Sequence, residues 1–558
     1  MAREKNNHFL LQGSILAAAS LIVRMIGLFY RIPMQRIIGD EGMGYYTVAY
    51  EIYNLALILS SYSLPIAVSK LISARETKGD YKNSYRIFSS ALVFAIIVGL
   101  LMSSILYFGA EFYSTVFNNV PNAILPIRVL APTIFVFSVM GVFRGFFQGK
   151  NTMIPTAISQ VVEQIVNAIV SIFASYYLIK HYSASINLAT YGAAGATLGT
   201  LVGAIVGCLF LFFVFILYKP ILNKQLSRDY SKYIIPYSST IKLLILTISP
   251  IILSQTVYHI SGVIDTSLFS HVMSNKKVTG LDSGFLNNIS SGAFYSEKNI
   301  ASLIGVYGNK YRLLTNVPVA IASAIGAASI TSVSAAKAKG LNGVIRSNTH
   351  AAIKFNMVIA IPATFGMTVL ASPILQLLFN DSSVLSANLL RLGSVAIVLF
   401  SLSTVSTSIL QGINKLSTPV FNAAISLGIH VVLVYAMLKF TNLSTYALVI
   451  GNVTFALVIS ILNWIAIEKE LGYRQEIKQT FVIPTISSAI MAIIVFFSYK
   501  GLLFITGRNW ISTIICLIIA AIVYFIALIL LRGVSEEEIR DLPKGESILN
   551  ILEKLGLF

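Results

Sequence analysis

The residues with the most chemical potential in this chain are charges set inside apolar runs. Arg24 and Arg31 stand seven positions apart in a run from about residue 10 to 36. Two helical turns put both guanidiniums on one face, about 10.5 Å apart along the axis. Gln35 lies one turn beyond Arg31, and Pro33 should bend that end of the helix. Arginine is costly in hydrocarbon, so the stripe should face a wet cavity. There it would suit a phosphate-bearing ligand, because the planar fork binds phosphate bidentately. The competing reading is structural: Glu51 enters the next apolar run about as deep as Arg31, and the two could form an ion pair.

Further along, Lys310 and Arg312 precede Pro318 and a small-residue stretch through Ala320, Ala322, Ala324 and Gly326. Such residues allow close helix approach. Arg312 could touch a substrate or snorkel to the headgroups. Asp265 is the one acid in its run, and Asn422 and Ser426 stand one turn apart in another. An intramembrane acid with neutral oxygen donors could take Na⁺ or a proton, and a lone acid could equally pair with an arginine. Gln160, Glu163, Gln164 and Asn167 form a polar stripe whose plain reading is interhelical hydrogen bonding. Cys208 and Cys516 sit far apart in apolar runs and make neither a disulfide framework nor a metal site. Gly145…Gly149-Lys150-Asn151 has the wrong spacing and lacks Ser/Thr for a phosphate loop. No metal or organic cofactor is implied beyond Na⁺ or H⁺ coupling.

These residues need elements to hold them, and composition says which. The 558 residues are 56% hydrophobic and 11% charged, against roughly 25% charged in a soluble domain. Apolar runs of about 20 residues or more recur from 10–36 and 44–72 to 480–500 and 510–532, giving an all-α integral membrane protein with 14 transmembrane helices. With the N-terminus in the cytoplasm, most of the 40 basic residues fall in inner loops, so both termini are expected inside. That asymmetry accounts for most of the net charge of +18 without nucleic acid.

A repeat organises the runs. Gln148-Gly149-x-Asn151 with Pro155 recurs as Gln411-Gly412-x-Asn414 with Pro419. Ser73-Ala74, Lys78-Gly79 and Phe117-Asn118 recur as Ser334-Ala335, Lys339-Gly340 and Phe379-Asn380. Six spans separate equivalent positions, so two six-helix lobes should form a parallel pseudo-repeat, an arrangement that favours a site between lobes and alternating access. The expected division is 1–236 for the first lobe with its following loop, 237–472 for the second, and 473–534 for two further helices. At 535–558 an amphipathic cytoplasmic tail opens with a capping box, Ser535 with Glu538, and carries apolar Ile548, Leu549, Ile551, Leu552 and Leu555. No loop exceeds roughly 30 residues, which leaves no room for a soluble catalytic domain.

Two six-span lobes plus two helices resemble the multidrug/oligosaccharidyl-lipid/polysaccharide (MOP) exporter superfamily. The opening Gln12-Gly13-Ser14, Arg24-Met25-Ile26-Gly27, Tyr30-Arg31-Ile32-Pro33 and Ile38-Gly39-Asp40-Glu41-Gly42 is similar to its stage V sporulation protein B/YtgP branch, as are Leu64-Pro65, Ser69-Lys70 and the Gln148-Gly149 turn. That branch is related to the lipid II flippase MurJ. The resemblance implies a MATE-like fold, no enzymatic activity, and transport of an undecaprenyl-pyrophosphate-linked saccharide, lipid II or a related precursor, across a bacterial plasma membrane. Arg24, Arg31 and Arg312 match cavity arginines of that family. Asp265 and Asn422 match a sodium site, with Ser426 where the pattern has an acid. The implied partners are the lipid-linked saccharide and the bilayer, with no obligate protein partner. Alternatives are an ion-coupled multidrug exporter, whose cationic substrates call for an acidic cavity, and a membrane glycosyltransferase or polymerase, which calls for a large outer loop or a metal-binding carboxylate. A non-transporting scaffold would leave Arg24 without a role.

Overall fold

The computed structural model describes residues 2–230, 234–286 and 292–540, with 546 and 549. Helices account for nearly all of it, and among the described residues one antiparallel bridge joins Lys277 and Phe294. Two compact units divide the chain: residues 1–277 with 294–309, and 278–293 with 310–558. The first holds α1 (Ala2–Leu57), α2 (Leu64–Glu76), α3 (Tyr81–Glu111), α4 (Ile124–Gly149), α5 (Ile154–His181), α6 (Leu188–Ser227) and α7 (Tyr237–Ser274). In chain order α8 (Gly280–Ser283) belongs to the second unit and α9 (Glu297–Gly305) to the first. The second continues with α10 (Arg312–Ala338), α11 (Asn342–Val369), α12 (Ala371–Phe379), α13 (Val384–Gly393), α14 (Val395–Gly412), α15 (Ser417–Phe440), α16 (Thr445–Leu471), α17 (Ile483–Thr506), α18 (Asn509–Leu530) and α19 (Glu536–Arg540).

Among the described residues, twelve helical stretches are long and apolar enough to cross a membrane, or thirteen if the bent pair Tyr237–Leu253 and Gln255–Ser274 is one span. The fourteen runs expected from the sequence are therefore not all separate helices. The first two merge in a stretch from Ala18 to Glu76, because α1 turns at Gly39 (φ 71°, ψ −179°) instead of entering a loop. A positive φ of that size is cheap only for glycine. Phe108, Phe173 and Phe504 are 78%, 69% and 92% exposed. Aromatic surface on that scale needs lipid around it, and the chain is a multi-pass membrane protein.

Packing follows two devices. Gly195, Gly199 and Gly203 recur every fourth residue of α6, on the face that meets α5. A Cβ there would lie 2.5 Å from Ser175 N, 2.5 Å from Ser171 N and 2.6 Å from Glu163 O. Small residues at this spacing let two backbones touch, and Ser171 and Ser175 donate across the contact to Ala196 O and Gly192 O at 2.8 and 3.0 Å. Elsewhere in the first unit an aromatic cluster fills the core, with Phe88 ring centroids 4.7 Å from Phe146 and 5.1 Å from Phe215. In the second unit Ile353, Met357, Val405 and Ile409 of α11 and α14 form the corresponding core.

The sequence repeat is also a backbone repeat. Asn151 and Asn414 are both left-handed (φ 59° and 63°), and each N–H donates 2.9 Å to the glutamine carbonyl three residues back. Gly79 and Gly340 share φ 72° and 68°. At the third pair the register slips by one: the left-handed residue matching Asn380 (φ 55°) is Asn119 (φ 49°), not Asn118. The capping box forms, with Ser535 N donating to Glu538 Oε2 at 2.9 Å and Glu538 N to Ser535 Oγ at 3.3 Å. Of the tail's apolar residues, Ile548, Ile551, Leu552 and Leu555 lie outside the described residues.

Candidate functional site

Helical geometry persists through α1 as far as Gly39, so the Arg24–Arg31 spacing keeps both on one face. Arg24 is exposed, whereas Arg31 turns inward. After Gly39 the chain comes back beside itself and presents Tyr46 and Tyr50 to Arg31. The guanidinium carbon lies 5.7 Å from the Tyr46 ring centroid and 5.9 Å from that of Tyr50, within cation–π range. The two rings stack at 4.3 Å. Tyr46 is hydrogen-bonded to Tyr30 at 3.4 Å, and Tyr50 is hydrogen-bonded to Thr200 of α6. Gln35 is buried and donates to Asp40 across the turn at 2.6 Å. Arg31 Nε and Gln35 Oε1 are buried with no hydrogen-bond partner. The described contacts of Arg31 are thus aromatic and not with Glu51, whose carboxylate packs against Gly262 of α7.

On α5 the polar stripe divides. Glu163 accepts from Arg144 of α4 at 2.7 Å, and Arg144 Nε donates to Ser159 at 3.1 Å. Their side chains are 11% and 16% exposed. Arg144 is therefore a helix-pairing residue. Asn167 accepts from Ser171 at 3.0 Å and from Thr200 at 3.5 Å. Gln164 instead reaches α1: a Cβ on Gly27, one turn from each arginine, would lie 3.3 Å from its Nε2. Gln160 Oε1 is buried and unpartnered.

In the second unit Arg312 is half-buried at the first turn of α10. Its neighbour Lys310 is committed to an ion pair with Asp381 at 2.6 Å, the side chains 5% and 10% exposed. Asn422 donates to Asn463 at 2.9 Å, and Ser426 donates to the Asn422 carbonyl at 2.7 Å. Asn463 in turn donates to Ser406 and Thr407 at 3.2 and 2.9 Å. Asp265 belongs to the first unit, where it is buried and accepts from Tyr307 at 3.4 Å. Among the described residues no group of three or more His, Cys, Asp or Glu could hold a metal ion.

Sequence reasoning passed over Tyr46 and Tyr50. The signal was present, since Tyr30, Tyr45, Tyr46, Tyr50 and Tyr53 crowd one short stretch, but pairing them with Arg31 requires the turn at Gly39.

Residues 10–334, more than half of the chain, match the family described as polysaccharide biosynthesis protein. The chain belongs to that family. Residues 312–436 of this family member also match MatE. Lipid II flippase MurJ of Bacillus subtilis is 27% identical over 87% of this chain and 88% of its own length. Stage V sporulation protein B of the same organism is 23% identical over 95% and 96%. A solved structure of lipid II flippase MurJ in an inward closed conformation aligns with a TM-score of 0.64 at 16% identity, covering 92% of this chain and 97% of that one. This family member therefore has the MATE/MurJ-like fold that its sequence resembled.

Proposed function

We propose that this family member is a flippase that carries an undecaprenyl-pyrophosphate-linked saccharide from the inner to the outer leaflet of a bacterial plasma membrane. The observation that carries the reading is Arg31, a cation on a membrane helix set against tyrosine rings, with a buried donor that no protein group takes. A guanidinium paired with carboxylate would have its fork occupied, whereas one resting on rings keeps it for an oxyanion. Arg24 and Arg31, with Gln35 and Gln164 beside them in the first unit, and Arg312 of the second would neutralise the pyrophosphate. Fourteen spans, two six-helix lobes plus two further helices, would enclose the headgroup while the lipid tail stays in the bilayer. Rocking of the lobes would then expose the cavity outward, both termini staying in the cytoplasm. No bond is made or broken, so the chain acts as a transporter and not as an enzyme. Asp265 in the first unit, and Asn422 and Ser426 in the second, would be the places to look for Na⁺ or H⁺ coupling.

An arginine-bearing cavity speaks against organic cations and hence against a multidrug exporter. The test is complementation of a bacterium depleted of its own lipid II flippase, comparing wild type with Arg24→Ala at matched membrane levels. Growth with wild type and none with Arg24→Ala supports the reading. Growth with both removes Arg24 from the mechanism, and failure of the inserted wild type removes lipid II as the substrate.

A further inference from the structure

The tyrosines after Gly39 have no part in the transport scheme so far, yet they surround one of its cations. We infer that Tyr46 is a positioning residue: its ring, not its hydroxyl, holds the Arg31 guanidinium so that no protein acceptor takes its Nε, which is left for pyrophosphate. This rests on the reading of Arg31 as a pyrophosphate ligand. Three observations carry it. Tyr46 is 2% exposed, stacked on Tyr50 at 4.3 Å, and fixed from the other side by Tyr30 at 3.4 Å. Its neighbour Tyr50 is tied to Thr200, and Thr200 to Asn167, so the ring pair is anchored on α6 and α5 as well as on α1. Arg31 lies within cation–π range of both rings while its buried Nε finds no acceptor.

A buried donor left unmet calls for an acceptor that the surrounding side chains do not supply. An oxyanion of a ligand is such an acceptor. Rings suit this task because their attraction is to the flat face of the guanidinium, whereas hydrogen bonding uses its rim. The two interactions therefore do not compete. A carboxylate in place of Tyr46 would hold the charge equally well and would block the rim.

The experiment measures binding of undecaprenyl pyrophosphate to the full-length purified protein, with undecaprenyl monophosphate as the comparison lipid. The variants are Tyr46→Phe, Tyr46→Leu, Arg31→Gln and the double variant Tyr46→Leu/Arg31→Gln. Tyr46→Phe keeps the ring and is expected to bind within about twofold of wild type. Tyr46→Leu should lose about five- to thirtyfold, the upper part of the range that cation–π contacts span. In the Arg31→Gln background the same substitution should cost nothing more. The thermal transition of each variant reports whether it is folded. If Tyr46→Leu costs as much with Arg31 absent as with it present, the ring acts on the fold and the positioning role is overturned. Loss with Tyr46→Phe equal to that with Tyr46→Leu assigns the effect to the hydroxyl and overturns it too. If Arg31→Gln binds like wild type, or wild type does not prefer pyrophosphate, the reading of Arg31 as a ligand fails first.

Discussion

Arg144 and Glu163 form a buried pair inside the membrane-embedded part of the first unit, and their energetics depend on being removed together or singly. Arg144→Gln leaves a carboxylate without its partner, which should cost about 3–5 kcal/mol in denaturant unfolding of the purified protein. Replacing both with leucine should cost less than either single change, since the desolvation of both charges is relieved. Asp381, which lies outside the candidate spans, pairs with Lys310 at 2.6 Å, and here pH is the probe. Burial pushes the Asp381 carboxyl up, but Lys310 with hydrogen bonds from Ser383 and Ser386 outweighs it and holds the group below its ordinary value. A carboxyl depressed by folding stabilises at every pH above its unfolded range and loses that stability as pH falls through its folded value. The stability gap between wild type and Asp381→Asn should therefore be flat from pH 7 to 5 and close only below about pH 4. At this scale the sequence exposed the arginines as charges in apolar runs, because burial cost marks them directly. It did not expose Tyr46, since an aromatic in a membrane helix is ordinary and only the return of the chain at Gly39 makes it a neighbour of Arg31.

Helix contacts carry the next set of expectations. A Cβ added at Gly199 would lie 2.5 Å from Ser171 N, so Gly199→Val must push α5 and α6 apart. The same measurement should show a loss of about 1–3 kcal/mol or more. Gly109 of α3 has nothing within 4 Å of an added Cβ, and Gly109→Ala should be neutral. The C-terminal turn offers a second contrast. Lys354 of α11, 5% exposed, reaches Glu538 at 2.7 and 2.8 Å and Gln479 at 3.1 Å, so Lys354→Met should release α19 and raise hydrogen exchange over residues 536–540. The capping box and the repeated Gln-Gly-x-Asn turns were legible because their geometry is local and each residue type has one conformational reason to be there. The joining of α1 through Gly39 was not, because glycine permits a turn without announcing its sharpness.

At the scale of the whole chain, hydropathy and family membership agree on a polytopic MOP-type fold, and the sequence showed it because only helices can satisfy their backbones in lipid. Orientation is a separate expectation. A single cysteine placed at Lys78 should be labelled by an impermeant maleimide only after the membrane is opened, and one at Ser382 in intact cells. The reverse pattern would invert the topology. The most direct test reconstitutes the full-length protein in proteoliposomes and follows transbilayer movement of a fluorescent undecaprenyl-pyrophosphate-linked saccharide, with Arg24→Ala and Arg31→Ala alongside. The account predicts movement with wild type, at least tenfold slower movement with either variant, and none of that difference with an undecaprenyl monophosphate saccharide. Equal rates for all three proteins on the pyrophosphate lipid would contradict it.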